Sequence, residues 1–259
     1  MTRCLVALCL FLLPIFVSAA EPSALSASEL AARVRAKQDG NSYVRVRMET
    51  GGGEKTTLQL QIKSRVLKTG ADIVYQVLFP SERKGEAVLL HREGNRVSGT
   101  LFTPPNSVRA LSAAQLDEPL FGSDLSYEDV IDDFFAWDQQ AVVGTDVIDR
   151  MNCQILESKP GKNHHSSYAS VRTWVDTRRF VPLRIEKYGD GGKLVRRITT
   201  TRILLDSGDS IPANLSVRGP RGTVTEIDGS RIKRGAIFTD AEFTPDGFAK
   251  LTTPSNPRE

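Results

Sequence analysis

Cysteine is scarce in this sequence, which contains three in 259 residues. Two of them, Cys4 and Cys9, lie in an apolar run at the N-terminus. Cys153 is the only cysteine in the rest of the chain and has no partner for an internal disulfide, which excludes a small disulfide-stapled protein. Because a nucleophilic thiol needs a neighbouring base and "MNCQILES" has the pattern of a β-strand, we expect Cys153 to be buried and unreactive.

Motifs of known catalytic and cofactor-binding sites are missing as well. The sequence has no HExxH, GxSxG, Walker loop or dinucleotide fingerprint. The adjacent pair His164 and His165 lies in a polar, turn-like stretch, where we expect a solvated loop and not a zinc site. A net charge of +3 is too small to indicate nucleic-acid binding. We therefore predict no catalytic residue, no metal and no cofactor.

Long apolar runs are absent except for one at the N-terminus. Arg3 precedes the run "CLVALCLFLLPIFV", and the small residues "SAA" follow it. This order is typical of a secretory signal that is cleaved after Ala20 or the alanine before it, and Glu21 stands where a lipoprotein would have cysteine. We expect residues 1–20 to be removed as a signal peptide and residues 21–259 to form a single soluble domain.

The remaining sequence is rich in alternating apolar and polar residues. A short helix is predicted first, because Ser26 and Glu29 form a capping box. The period then changes to two in "YVRVRME" and "TLQLQIK", and similar segments recur as far as "GTVTEIDGSRI", with turns such as "GDGG" and "GPRG" between them. These patterns predict a mainly β (α+β) fold, in which a curved antiparallel sheet closes over a few short helices and an apolar cavity.

An acidic segment interrupts the strands. "FGSDLSYEDV", residues 121–130, holds three carboxylates and two hydroxyls, and Asp132 and Asp133 follow at once. A calcium loop would need oxygen ligands at regular spacing, but a leucine and a tyrosine stand at those positions. Ser126 is instead a suitable N-cap, and the acids after it fall in the first turn, where the helix dipole favours anions. We predict a capped amphipathic helix near 126–135, with Asp132 and Asp133 in solvent.

The acidic segment, followed by "TWVDTRRFVPLRIEKYGDGGKLVRRI", resembles the outer membrane lipoprotein-sorting protein family. The segments "VLFPSERKGEAVLL", "FTPPNSVRAL" and "AIFTDAEFT" occur in the order of that family, and the resemblance spans roughly residues 41–251. It implies an incomplete β-barrel that wraps helices over an apolar cavity, and a role in holding acyl chains away from water in the periplasm. It also implies an RND-type membrane transporter as a partner. No local motif identifies the arginine that controls the lid of the best-known carrier, so cargo other than lipoproteins stays open.

Two main functions follow from these observations. The first is a periplasmic, non-catalytic carrier of lipoprotein acyl chains or lipid in envelope lipid trafficking, whose affinity would come from burial at ~0.8 kcal/mol per methylene. The alternative is a protein-binding accessory module of an RND-type lipid exporter that carries no lipid and has a solidly packed interior. A secreted hydrolase that uses Asp124 or Glu128 is a third hypothesis, which the helix interpretation of the acidic segment disfavours.

The predicted lipid-binding residues come from two places. Most lie on the apolar faces of the first strands that alternate most regularly, and two from the predicted helix are candidates for a lid. An ordinary sheet core shows the same pattern, so core packing is an equal alternative for each of them. The strand register, which one sequence leaves open, decides which face looks into the cavity. The residues are Val44, Val46, Met48, Leu58, Leu60, Ile62, Tyr75, Val77, Phe134 and Phe135.

Overall fold

Alternation of apolar and polar residues produces strands that recur from residue 42 to residue 234. The computed structural model describes residues 25–51, 55–162 and 164–249, and the predicted signal peptide, residues 1–20, lies outside them. The strands are β1 (Ser42–Thr50), β2 (Thr56–Leu67), β3 (Gly70–Phe79), β4 (Ala87–Glu93), β5 (Arg96–Thr103), β6 (Ser107–Leu111), β7 (Gln139–Ile148), β8 (Met151–Lys159), β9 (Ser170–Asp176), β10 (Pro182–Tyr188), β11 (Leu194–Asp206), β12 (Asp209–Arg218) and β13 (Val224–Arg234).

These thirteen strands form one antiparallel sheet across the described residues, in the order β6-β5-β4-β3-β2-β1-β13-β12-β11-β10-β9-β8-β7. The first and last of the described strands, β1 and β13, pair in the middle of the sheet. The two edges, β6 and β7, are consecutive in sequence and do not pair with each other, so the curved sheet is unclosed. The prediction of a mainly β fold with a curved antiparallel sheet is confirmed.

A long connection, residues 112–138, must cross the face of the sheet because it joins the two edge strands. We call it the crossover. The helix predicted near 126–135 is wrong: the crossover holds only short 3-10 helices. Ser126 does cap, since its Oγ accepts a hydrogen bond from the Asp129 amide at 3.2 Å, but contacts to the sheet hold the carboxylate of Asp129 and the turn does not propagate. The 3-10 helices of the crossover are Ala113–Gln115, Leu120–Gly122, Glu128–Val130 and Phe134–Ala136.

The first helix, α1 (Ala27–Gln38), lies beside the crossover on the same face of the sheet. Its predicted capping box is present: the Oγ of Ser26 accepts from the Glu29 amide, and the Glu29 carboxylate accepts from the Ser26 amide at 3.1 Å. Leu30 and Val34 of this helix are buried against an apolar cluster. The other buried members of that cluster are Ala31, Phe134, Phe135, Trp137, Leu156, Tyr168, Val171 and Val175.

The C-terminal elements, a 3-10 helix (Asp240–Phe243) and α2 (Pro245–Ala249), complete the described chain. Phe243 and Phe248 pack in a separate apolar cluster with residues of β3, β4 and β5. Neither α1, with 12 residues, nor α2, with 5, has the length that an apolar helix needs to cross a bilayer, and the described residues contain no other α-helix. The sheet is packed against two separate groups of elements, which are α1 with the crossover and the C-terminal 3-10 helix with α2. Only α1 and the crossover border the candidate site.

Candidate functional site

An apolar cavity of about 300 Å³ lies between the middle of the sheet and the crossover. Strands β1, β2, β3, β12 and β13 provide its wall, and Leu120 and Leu125 of the crossover face them. The C-terminal end of α1 borders the cavity at one end, which we call the mouth. Its apolar lining consists of Val44, Val46, Met48, Leu60, Ile62, Tyr75, Leu120, Leu125, Ile211, Pro212, Ala213, Leu215, Ile227 and Ile232.

Three rows of side chains that lie across neighbouring strands build the cavity wall. Residues two apart on a strand share one face, so successive rows are about 7 Å apart along the strands. Each row joins residues that are distant in sequence, because β1 pairs with β2 on one side and β13 on the other. From the mouth inward, the rows are Tyr75, Ile62, Val44 and Ile232; then Leu60 and Val46; then Met48, Ile227 and Leu215.

The mouth is polar and charged, in contrast to the wall. Lys37 Nζ lies 2.8 Å from Oδ1 of Asp209, and Arg234 Nη1 lies 2.8 Å from Oδ2 of the same carboxylate. Hydrogen bonds from Lys37 and from Arg234 hold the pKa of Asp209 below its ordinary value. Gln38 and Asp39 are exposed at this end of the cavity. The cavity thus runs from a polar surface opening into an apolar interior.

One polar group stands in the apolar wall, the hydroxyl of Tyr75 in the row next to the mouth. It makes no hydrogen bond to any residue that the structure describes. Burial raises the pKa of Tyr75 above its ordinary value, so the phenol stays protonated at neutral pH. The side chain is half-buried because one side of it is exposed to the cavity. A neutral hydrogen-bond donor is therefore available to an occupant of the cavity.

The sequence predicted ten lipid-binding residues, and the structure places them in three groups. Six line the cavity: Val44, Val46, Met48, Leu60, Ile62 and Tyr75. Leu58 and Val77 are fully buried in the cluster that supports its wall. Phe134 and Phe135 pack beside α1 and border a separate cleft. The assignment of these residues to lipid binding stays a prediction.

Several residues of the site were missed by sequence reasoning. Leu215 and Ile227 form the far end of the cavity, and Leu120 and Leu125 form its roof. The alternating patterns predicted the strands that carry Leu215 and Ile227, but no local signal indicates that β13 pairs with β1. Pairing partners distant in sequence are decided by the whole fold.

The acidic segment attaches the crossover to neighbouring elements. The carboxylate of Asp124 accepts hydrogen bonds from the hydroxyls of Thr223 and Thr225, the second at 2.9 Å. The carboxylate of Glu128 accepts from the Ser166 hydroxyl at 2.6 Å and from the Ser167 amide at 3.0 Å. Both acids are buried, and their oxygens are engaged by neutral donors. This arrangement supports a structural role for the two acids.

The side chain of Asp129 is fully buried. Its carboxylate contacts Arg196, lies 2.9 Å from Lys187 Nζ and accepts from the Tyr168 hydroxyl at 2.8 Å. Burial alone would raise the pKa of Asp129, but the charges of Lys187 and Arg196 and the Ser126 amide outweigh burial and lower the pKa below its ordinary value. The carboxylate is consequently ionised at neutral pH and fastens the crossover to β10 and β11.

The prediction that Asp132 and Asp133 lie in solvent is wrong, and of the two histidines predicted to lie in a solvated loop, His165 is exposed and His164 is largely covered. The side chains of Asp132 and Asp133 are only 7% and 14% exposed, and Asp133 forms ion pairs with Arg35 at 2.9 Å and Arg92 at 3.3 Å. His164 is 16% exposed, and its Nε2 accepts a hydrogen bond from Trp137 Nε1 at 2.8 Å. Asp132 and Asp133 are covered because the crossover forms no helix with a solvent-facing side, whereas His164, in the loop between β8 and β9, packs against Trp137 of the crossover.

Chemical groups for catalysis or metal binding are not gathered in the part of the chain that the structure describes. No group of three or more His, Cys, Asp and Glu side chains there is placed to hold a metal ion. Cys153 is buried in β8 as predicted, and burial raises the pKa of its thiol to about 11, which disfavours the reactive thiolate. The arrangement around the cavity is suited to binding an apolar molecule.

Comparisons with known proteins agree with this architecture. A family model described as "-like: Uncharacterized protein" matches residues 71–250. Among solved structures, a DUF1329 family protein from Desulfovibrio piger is similar, with a TM-score of 0.80 and 24% sequence identity over 86% of this chain and 97% of that one.

Two further solved structures have the same fold. An outer membrane lipoprotein-sorting protein domain from Vibrio parahaemolyticus has a TM-score of 0.77 and 20% identity over 86% of this chain and 98% of its own. A LolA superfamily protein from Nitrosomonas europaea has a TM-score of 0.68 and 21% identity over 86% of this chain and 100% of its own. No curated protein matches the sequence significantly. The predicted resemblance to outer membrane lipoprotein-sorting proteins is confirmed at the level of the fold.

Proposed function

The chain belongs to the family whose model matches residues 71–250, and from that premise and its apolar cavity we propose that it is a non-catalytic carrier of lipophilic cargo. The cavity is the observation that carries the proposal. Its wall is apolar over three rows of side chains, and its mouth is polar. A lipid bound there would keep its acyl part out of water at ~0.8 kcal/mol of favourable free energy per buried methylene.

The location proposed for this carrier is the periplasm. The N-terminal sequence has the features of a secretory signal, residues 1–20, and the remaining residues 21–259 would act as one carrier domain. The similarity of fold to a lipoprotein-sorting protein domain supports lipoprotein acyl chains or lipid as the class of cargo. An RND-type membrane transporter is the partner proposed for loading or unloading.

The competing function, a protein-binding accessory module without cargo, predicts an interior filled by its own side chains. The cavity next to Val46 and Leu60 supports the carrier over this alternative, because a solidly packed core would leave no space of 300 Å³. In the described residues, the acids Asp124 and Glu128 are engaged by hydroxyl and amide donors, which disfavours the hydrolase hypothesis.

The decisive experiment is lipid extraction and mass spectrometry on protein purified from its own periplasm, combined with titration of a fluorescent fatty acid. We expect co-purifying lipid and saturable binding. Val46→Trp, which fills the middle of the cavity, should weaken binding at least about tenfold, whereas Val147→Trp on the exposed edge strand β7 should bind like the wild type. Neither co-purifying lipid nor probe binding in the wild-type protein would contradict the proposal.

A further inference from the structure

The size of the cavity limits how many acyl chains it accommodates. A dry cavity of about 150 Å³ lined by apolar side chains is sufficient for one benzene molecule, which has six carbons. By that scale, the 300 Å³ cavity holds about twelve carbons. The cavity extends over about 20 Å along the strands from Ser42, at the mouth, to Met48 in the innermost row, which is long enough for one extended chain of that length. The several acyl chains of a lipoprotein anchor exceed this volume together.

The polarity of the cavity determines how such a chain is oriented. Lys37 and Arg234 stand at the mouth, and the unpartnered hydroxyl of Tyr75 lies one row further in. Below that row the wall has only apolar side chains, ending at Met48 and Ile227. A chain inserted with its polar end outward would place a carboxyl or ester oxygen beside Tyr75 and its methyl end beside Ile227. The opposite orientation would bury the polar end without a hydrogen-bond partner, which is costly.

We propose that the cargo is a single-chain amphiphile of about twelve carbons, held with its methyl end inward and an oxygen of its carboxyl or ester group accepting a hydrogen bond from Tyr75. This inference rests on the proposed carrier function and narrows its substrate class. Free fatty acids and single-chain lipid esters share the chemistry. A lipid with several chains would insert only one of them and leave the others in water.

Chain length gives the first test. Binding of saturated fatty acids with about eight to about eighteen carbons is measured by displacement of a fluorescent fatty acid from the full chain. Affinity should rise about fourfold per methylene up to about twelve carbons and then stop rising. Ile227→Phe, which shortens the deep end of the cavity, should lower the chain length at which affinity stops rising. Leu215→Phe offers the same change if the first variant folds poorly.

The hydrogen bond to Tyr75 gives the second test. Tyr75→Phe should weaken binding of a twelve-carbon fatty acid about tenfold and leave binding of an alkyl halide of equal length unchanged. Tyr127→Phe is the matched control, because Tyr127 belongs to the buried cluster against which Tyr75 packs but does not line the cavity. It should bind both probes like the wild type.

The possible results separate this inference from the function on which it rests. Affinity that keeps rising to the longest chains, or a multi-chain lipopeptide that binds more tightly than every single-chain probe, overturns the single-chain inference and leaves the carrier function intact. Equal losses of both probes in Tyr75→Phe overturn the proposed orientation. Failure of the wild-type protein to bind any of these probes overturns the inference together with the carrier function.

Discussion

Lys187 Nζ lies 2.9 Å from Oδ1 of Asp129 at a place where the two side chains are 1% and 0% exposed. The ammonium group is in direct ionic contact with the carboxylate. It also lies over two aromatic rings, 5.3 Å from the centroid of Phe134 and 4.8 Å from that of Tyr168. Since Asp129 belongs to the crossover and Lys187 to β10, this ion pair fixes the cover of the cavity to the sheet.

Removing the charge of Asp129 should destabilise the protein strongly. Asp129→Asn would leave the charges of Lys187 and Arg196 buried without their counter-ion. The loss of a single partner from a buried ion pair costs about 3–5 kcal/mol. Urea unfolding followed by circular dichroism measures the free energy of unfolding of the variant and the wild type.

The control for this change is Asp240→Asn. Asp240 also forms an ion pair, with Arg65, but its side chain is 98% exposed. Exposed pairs contribute little, so this variant should stay within about 0.5 kcal/mol of the wild type. Similar losses in both variants would show that burial of the Asp129 pair adds nothing to stability.

Lowering the pH should reduce the contribution of Asp129 to the free energy of unfolding. The pKa of Asp129 is lowered in the folded protein, against an ordinary value of about 3.9 in the unfolded chain. A lowered pKa gives stability that is fully present above about pH 5 and is lost as the pH falls past the unfolded value and through the folded value. The difference in unfolding free energy between the wild type and Asp129→Asn should therefore shrink below about pH 4 and be constant above pH 5. A difference that does not change from pH 7 to pH 3 would contradict the lowered pKa.

The sequence predicted the strands of the cavity wall but only some of the residues that line it. Val44, Val46 and Met48 alternate with charged residues, and this local pattern is sufficient to place them on one face of a strand. The opposite residue Ile227 is 179 positions away, and its pairing with Met48 depends on the topology of the whole sheet. Local periodicity determines faces, whereas neighbours across the sheet come from global topology.

In the acidic segment as well, the sequence predicted a local interaction but not the tertiary contacts. Ser126 was predicted to cap a helix, and the local part of that prediction is present, since its hydroxyl accepts a hydrogen bond from the Asp129 amide. The predicted helix did not form, because the partners of Asp129, which are Lys187 and Arg196, lie on strands far along the chain. Tertiary ion pairs overrode a local preference that stabilises a helix only weakly.

The two adjacent histidines should differ in their effect on stability. His164 accepts the indole hydrogen bond of Trp137, whereas His165 is exposed. His164→Leu leaves the indole N–H without this acceptor in a mostly buried place, which should cost about 1–3 kcal/mol. His165→Leu should change the unfolding free energy by less than about 0.5 kcal/mol. Thermal and urea unfolding monitored by tryptophan fluorescence distinguish the two, and equal effects would contradict the role of His164.

Gly219, in the turn between β12 and β13, lies against the carboxylate of Asp124, and we expect this contact to leave no room for a larger residue. A Cβ atom at Gly219 would stand 2.6 Å from Oδ1 of Asp124. The carboxylate has little freedom to move, because the hydroxyls of Thr223 and Thr225 hold it. Gly219→Ala should therefore displace the crossover at this point and reduce the free energy of unfolding by about 1–3 kcal/mol.

Gly144→Ala provides the contrast for Gly219→Ala. A Cβ atom at Gly144 would meet Cδ1 of Ile155 at 3.6 Å, an ordinary van der Waals distance. Alanine at this strand position should be neutral or stabilising by up to about 1 kcal/mol, because it restricts the unfolded chain. Hydrogen exchange gives the local measurement: amides of residues 120–130 should exchange faster in Gly219→Ala and at the wild-type rate in Gly144→Ala. Unchanged exchange in Gly219→Ala would mean that Asp124 adapts to the added methyl group and that its contacts with Thr223 and Thr225 do not hold the crossover in place.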